Sequence, residues 1–180
     1  LILGGQVGTD ANNTANVHGG GFGSGTTVGG NVTVIIGSDN TDITPPDLYG
    51  DVYGGSALGT VNTNTQNQTN VTLNAGTING SLYGGGLGDQ STAADVNGAV
   101  AVTVNGGSVT GGVFGGNNIN GMPKSTIAVT INGSDIEPAP GEYAINAVYP
   151  HIQEEGRRGG VLQILGQHSD RETRQGREGH

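Results

Sequence analysis

Cysteine and tryptophan are absent from this chain of 180 residues, and aromatic residues make up only 4% of it. Without thiols there can be no disulfide and no thiolate metal site, so nothing covalent compensates for a thin core. Basic residues are almost missing up to Tyr149, where Lys124 stands alone against ten Asp and Glu. An acidic, lysine-poor surface repels phosphate, which argues against nucleic acid and anionic membranes as partners. Long apolar runs are missing too. Nothing approaches the roughly 18 residues of a membrane span, and no charged n-region precedes a signal-peptide core, so this segment is not expected to insert into a membrane. Hydrophobic residues reach 32% and charged residues 12%, which is too little bulk for the thick interior of an ordinary globule.

What the chain has in quantity is glycine, 37 residues of it, together with Asn and Thr. That composition alone also suits disorder, but the arrangement argues otherwise. Residues 70–86 read NVTLNAGTINGSLYGGG, and residues 100–116 read VAVTVNGGSVTGGVFGG. Aligning on an aliphatic-aromatic pair gives Val17-His18, Val52-Tyr53, Leu82-Tyr83, Val113-Phe114 and Val148-Tyr149, spaced by 35, 30, 31 and 35 residues. A V-T-aliphatic triplet recurs as Val32-Thr33-Val34, Val71-Thr72-Leu73, Val102-Thr103-Val104 and Val129-Thr130-Ile131, with Leu1-Ile2-Leu3 as a truncated first member. After the triplets come small residues, a polar residue and an aliphatic, as in Ala75-Gly76-Thr77-Ile78 and Gly106-Gly107-Ser108-Val109.

A fixed internal order repeating at such a period predicts stacked supersecondary units. Because successive strand side chains face opposite ways, the triplet valines point inward and the threonines outward. A second short strand is expected at Val7, Ile43, Ile78, Val109 and Ile136, and a third at the aliphatic-aromatic pairs. The glycine runs after those pairs let consecutive turns approach closely. The expected fold class is therefore all-β: a parallel β-helix, or β-solenoid, of about five short coils of roughly 30–35 residues. It covers residues 1–149, with coils aligned near positions 17, 52, 82, 113 and 148. Residues 59–70 and 88–98 read as variable loops, and the proline-containing segments 44–49 and 137–143 as bulges from the stack. At Pro150 the alphabet changes. Residues 150–180 hold five Arg and five acids and read as a polar tail, a cap or foreign sequence, with Val161 to Leu165 able to add one strand.

The candidate ligand-binding feature is the aromatic slot: His18, Tyr53, Tyr83, Phe114 and Tyr149. With their aliphatic partners inward, these rings would form an outward strip suited to sugar faces, or a ladder that only stabilises the coil. Asn74, Asn105 and Asn132 suit a side-chain amide ladder. No catalytic residue, metal site or cofactor is expected. The carboxylates are mostly single and lie in loops, and general acid-base work needs two titratable groups held together. The sequence Gly85-Gly86-Leu87-Gly88-Asp89 departs from the spacing of the calcium-binding GGxGxDxUx repeat and does not recur.

The motifs VYGG/LYGGG, VTVNGG and S/T-V/I-x-G resemble the glycine-rich repeats of large bacterial surface proteins: adhesins, autotransporter passengers and filamentous-haemagglutinin-like parallel β-helices. The resemblance covers about residues 1–149. It implies export, an extracellular or outer-surface location and a structural or adhesive role meeting host or microbial glycans or matrix protein, and it transfers no catalytic residue; the start at Leu1, in the middle of a repeat, is separately read as the mark of a segment of a longer chain. Two further readings stand beside it. One is a polysaccharide lyase or glycoside hydrolase on a pectate-lyase-like β-helix, which the scarcity of basic residues disfavours. The other is a spacer that binds nothing.

Overall fold

The structure, a computed structural model, describes residues 1–138, 144–146 and 161–164. The first coil runs through β1 (Gln6–Val7), β2 (Val17–His18), β3 (Thr27–Val28) and β4 (Val32–Ile36). The second repeats that order as β5 (Asp47–Leu48), β6 (Val52–Tyr53), β7 (Thr60–Val61) and β8 (Gln68–Leu73). The third has β9 (Thr77–Ile78), β10 (Leu82–Tyr83) and β11 (Ala99–Val104), and the fourth β12 (Ser108–Val109), β13 (Val113–Phe114) and β14 (Ile127–Ile131). The last rungs are β15 (Asp135–Ile136), β16 (Ile145–Asn146) and β17 (Val161–Ile164).

Equivalent strands pair in parallel from coil to coil. They form three sheets of five strands each, ordered β1-β5-β9-β12-β15, β2-β6-β10-β13-β16 and β4-β8-β11-β14-β17. Five rungs on each face enclose about four full turns, so the chain is a parallel β-solenoid. Among the described residues no helix is long and apolar enough to cross a membrane.

Strand alternation decides what goes inside. In β11 the burial alternates strictly, with Val100, Val102 and Val104 buried and Ala99, Ala101 and Thr103 only partly so. The inward positions of all three sheets meet in one apolar cluster that includes Val34, Ile36, Leu48, Val52, Val71, Leu73, Ile78, Leu82, Val102, Val109, Val113, Val129 and Ile131. Each such side chain contributes about 1.5–3 kcal/mol on burial, and each rung supplies a few of them.

The corner after the first three aliphatic-aromatic pairs has room only for glycine, at Gly19, Gly54 and Gly84. A Cβ on Gly84 would strike Val100 Cγ1 and lie 2.7 Å from both Gly115 O and Val102 Cγ2, and one on Gly54 would lie 2.6 Å from Val71 Cγ2. The backbone here passes directly over the inward valines of the longest sheet, which explains why the repeat keeps a glycine at this step.

Several expected registers are corrected by the structure. Val34, not Val32, stands opposite Val71, and Ile36 stands opposite Leu73, so β4 is displaced by two residues from the triplet alignment. A shift of two preserves which side chains face inward. The observed register also places Ile36, 0% exposed, inside the ladder instead of beyond its end. Leu1-Ile2-Leu3 is displaced by one: Ile2 bridges Ile36, leaving Leu1 77% and Leu3 41% exposed.

The second-strand position of coil two is filled by Leu48, paired with Val7 and Ile78, and not by Ile43. Segment 44–49 is therefore only partly a bulge. Its prolines immediately precede β5, and Pro46 O accepts from Thr77 N at 2.9 Å. Residues 59–70 and 88–98 are not simply loops either. Thr27-Val28 pairs with Thr60-Val61, and single bridges continue that line through Val96 to Pro123, giving a fourth ladder beside the three expected.

The fifth member of the aromatic slot is corrected as well. Ile145 and Asn146 pair with Val113 and Phe114, and Tyr149 lies outside the described residues. Val161–Ile164 does add a strand, paired with Ala128 to Ile131. The rest of residues 150–180, and residues 139–143 of the second proline segment, lie outside the described residues.

Candidate functional site: the stacked ring ladder

Each aromatic-slot residue follows an inward aliphatic by one position, so it is carried to the opposite side of its strand. The registers Val17↔Val52 and His18↔Tyr53, then Leu82↔Val52 with Tyr83↔Tyr53 and Leu82↔Val113 with Tyr83↔Phe114, bring four of the five predicted residues into one column. The rings lie nearly parallel. His18 and Tyr53 have centroids 4.8 Å apart at 7°, Tyr53 and Tyr83 are 5.0 Å apart at 6°, and Tyr83 and Phe114 are 5.0 Å apart at 14°. The spacing is the coil-to-coil distance set by the backbone ladder, about 4.8 Å.

The column is covered. Tyr53 is 0% and Tyr83 8% exposed, while His18 and Phe114 at the two ends are half-buried. The faces that a sugar ring would need on Tyr53 and Tyr83 are occupied, one by the ring before and one by the ring after.

Polar groups that the motif alignment did not single out hold the column in place. Tyr53 OH donates to Asp51 Oδ2 at 2.9 Å and accepts from Asn118 Nδ2 at 2.8 Å. Asp51 Oδ1 in turn accepts from Ser81 N at 2.8 Å. One carboxylate thus ties the second coil to the third, and one amide reaches from the fourth coil back to the second. Asp51 was legible, because residues two apart on a strand share a face. Asn118 carried no comparable signal.

Burial pushes the Tyr53 hydroxyl well above the ordinary tyrosine range; the Asn118 hydrogen bond pulls the other way and the Asp51 charge adds to the rise. His18 is held below the usual histidine value, first by burial, with the Asp51 charge acting against it. Its Nδ1 is buried and makes no hydrogen bond. An imidazolium there would carry a buried N–H without an acceptor.

A second column runs along the corner after the longest strands. Asn105 Nδ2 donates to Asn74 Oδ1 at 2.9 Å, and Asn132 Nδ2 donates to Asn105 Oδ1 at 2.6 Å. The amide ladder expected from the repeat is thereby present.

The carboxylates of the loops hold local structure. Asp10 Oδ1 accepts from Asn12 N and Asn13 N at 2.8 and 3.1 Å, and Asp89 Oδ1 accepts from Ser91 N and Thr92 N at 2.8 and 2.6 Å. Both are held below the usual carboxylate range, chiefly by the backbone N–H of Asn12 and of Ser91 respectively. Lys124 Nζ pairs with Asp95 Oδ2 at 2.5 Å.

No protein-family model matches this chain, and neither a curated protein nor a solved structure matches it.

Proposed function

We propose that this chain is a stiff structural segment, a stalk, of a bacterial cell-surface or secreted protein of the adhesin-like kind. The observation that supports this reading most is the use made of its distinctive side chains. Rings, amides and buried aliphatics each bond or stack with their equivalents in the next coil, so the repeat spends its chemistry on cohesion along one axis. Of the carboxylates in the repeat, Asp51 is engaged with Tyr53 and Ser81, Asp89 with its own turn and Asp95 with Lys124, which adds no support to the lyase or hydrolase reading. Contact with glycans or matrix would then fall to the polar excursions between rungs, such as residues 8–16 and 37–46, and not to the ring faces.

Single-molecule pulling on the full chain, held at its two ends, tests the stalk. Resistance that breaks in discrete cooperative steps, far above the force needed to extend an unstructured linker, is the expected result. Smooth extension at linker-like force would overturn the reading. A glycan array run beside it asks where any binding sits: exchange of residues 38–42 should abolish a signal that Tyr53→Phe leaves unchanged.

A further inference from the structure

Asparagine followed by glycine can modify itself, because a backbone nitrogen without a neighbouring Cβ is free to reach the Asn side-chain carbonyl. The chain contains five such steps, at Asn79, Asn97, Asn105, Asn120 and Asn132. Four of the side chains are drawn to another coil: Asn79 Nδ2 donates to Asp47 Oδ1 at 2.6 Å, Asn97 Nδ2 to Asn62 O at 2.8 Å, Asn105 Nδ2 to Asn74 Oδ1 at 2.9 Å and Asn132 Nδ2 to Asn105 Oδ1 at 2.6 Å.

Asn120 also donates to a preceding coil, to Asp89 O at 2.9 Å, but its carbonyl is placed differently. Asn120 Oδ1 accepts from Gly121 N at 2.8 Å. Cγ lies one C=O bond, about 1.23 Å, from that oxygen, so the carbon to be attacked lies within about 4 Å of the nitrogen that would attack it. Holding reactants near contact in this way lowers the entropic part of a barrier. Gly121 has a φ of 95°, and a Cβ there would lie 2.8 Å from Ala94 N, so the glycine that permits attack is also the residue that the corner requires. Ile119 and Met122 on either side are 54% and 46% exposed, which leaves the step open to water.

We propose that Asn120-Gly121 is a self-modification site of this protein, deamidating through a succinimide ahead of the other four Asn-Gly steps. Gly121 N gives up its proton to solvent base and forms a bond to Asn120 Cγ. The Cγ–Nδ2 bond breaks and the nitrogen leaves as ammonia, taking up a proton from solvent. Water then opens the ring at either carbonyl, giving an aspartyl or isoaspartyl residue. One water is consumed and one ammonia released, with no enzyme or oxidant.

The change matters because Asn120 ties consecutive coils together. Its backbone O accepts from Ala94 N at 3.2 Å and Asn117 Nδ2 at 3.1 Å. A carboxylate at its side chain cannot donate to Asp89 O, and an isoaspartyl link lengthens the backbone at that corner. The site would act as a slow, irreversible loosening of the outer loops of the third and fourth coils.

The test is incubation of the folded full chain at mildly alkaline pH, followed by peptide mapping with mass detection, alongside the same chain unfolded in urea. In the folded chain, conversion at Asn120 should run several-fold ahead of Asn79, Asn97, Asn105 and Asn132, and in urea the five should converge. Asn120→Gln should remove that product and leave the other four unchanged. Any of the other four converting first, equal rates in the folded chain, or no conversion at Asn120 in the time the unfolded chain reacts would each overturn the proposal.

Discussion

Gly84 shows how a single missing methyl sets this architecture. Its Cα passes so close to Val100, Val102 and Gly115 O that an added Cβ has no space, and overpacking of a filled interior costs about 1–3 kcal/mol. Gly84→Ala should therefore lower the unfolding free energy by that order, read as a lower denaturant midpoint at unchanged slope. Gly25→Ala, where a Cβ meets nothing within 4 Å, should leave it unchanged or raise it slightly, since alanine restricts the unfolded chain. His18 supplies the residue-scale prediction for pH. Its pKa in the folded chain is below the ordinary value of about 6.5, so the neutral ring stabilises the fold. That contribution is fully present above about pH 6.5 and is lost as pH falls from there through the lowered folded value. Thermal melts between pH 8 and pH 4 should show a loss in the wild-type chain that His18→Phe reduces. An undiminished acid loss in the variant would remove His18 as its cause.

At the scale of the element, what the sequence showed and what it hid both follow from strand periodicity. Alternation marks inward and outward residues wherever polar and apolar side chains interleave, as in Val71-Thr72-Leu73, and those rungs pair as expected with Val102-Thr103-Val104. It says nothing where neighbours are all apolar. Leu1-Ile2-Leu3 gives no alternation to read, and neither does the run Val34-Ile35-Ile36. A better guide was the constant step of five residues from Leu73 to Ile78, Val104 to Val109 and Ile131 to Ile136, which, counted back from Val7, selects Ile2 and puts Leu3 in the asparagine slot.

Insertions broke that count at Ile43 and again at Val148, where segments 37–46 and 137–144 separate strands that are adjacent in other coils. The ring column was legible as a column, because its members share one strand position. Its burial was not, because one of the groups held against it, Asn118, comes from two coils away and lies outside the motif. Truncating Ile2, which is partly buried against the core, to Ala should cost up to about 2 kcal/mol, the low end for a fully buried aliphatic, and Leu1→Ala and Leu3→Ala much less. Equal costs for all three would contradict the observed register.

For the whole molecule, stability is approximately a sum over neighbouring rungs, with Asn118 reaching across two coils to Tyr53. The stalk, the covered ring column and the amide ladder all depend on equivalent residues lying one backbone spacing apart. The absence of native cysteine makes that directly measurable. Thr72 pairs with Thr103, and Thr103 with Thr130, on the outer side of the longest sheet. Adjacent rungs place Cα atoms about 4.8 Å apart, inside the disulfide range, and alternate rungs about twice that distance, outside it. Under mild oxidation the double variant Thr72→Cys with Thr103→Cys should cross-link within the monomer, and Thr72→Cys with Thr130→Cys should not. Failure of the first pair, or linkage of the second in preference to it, would contradict the stacked solenoid and the structural role built on it.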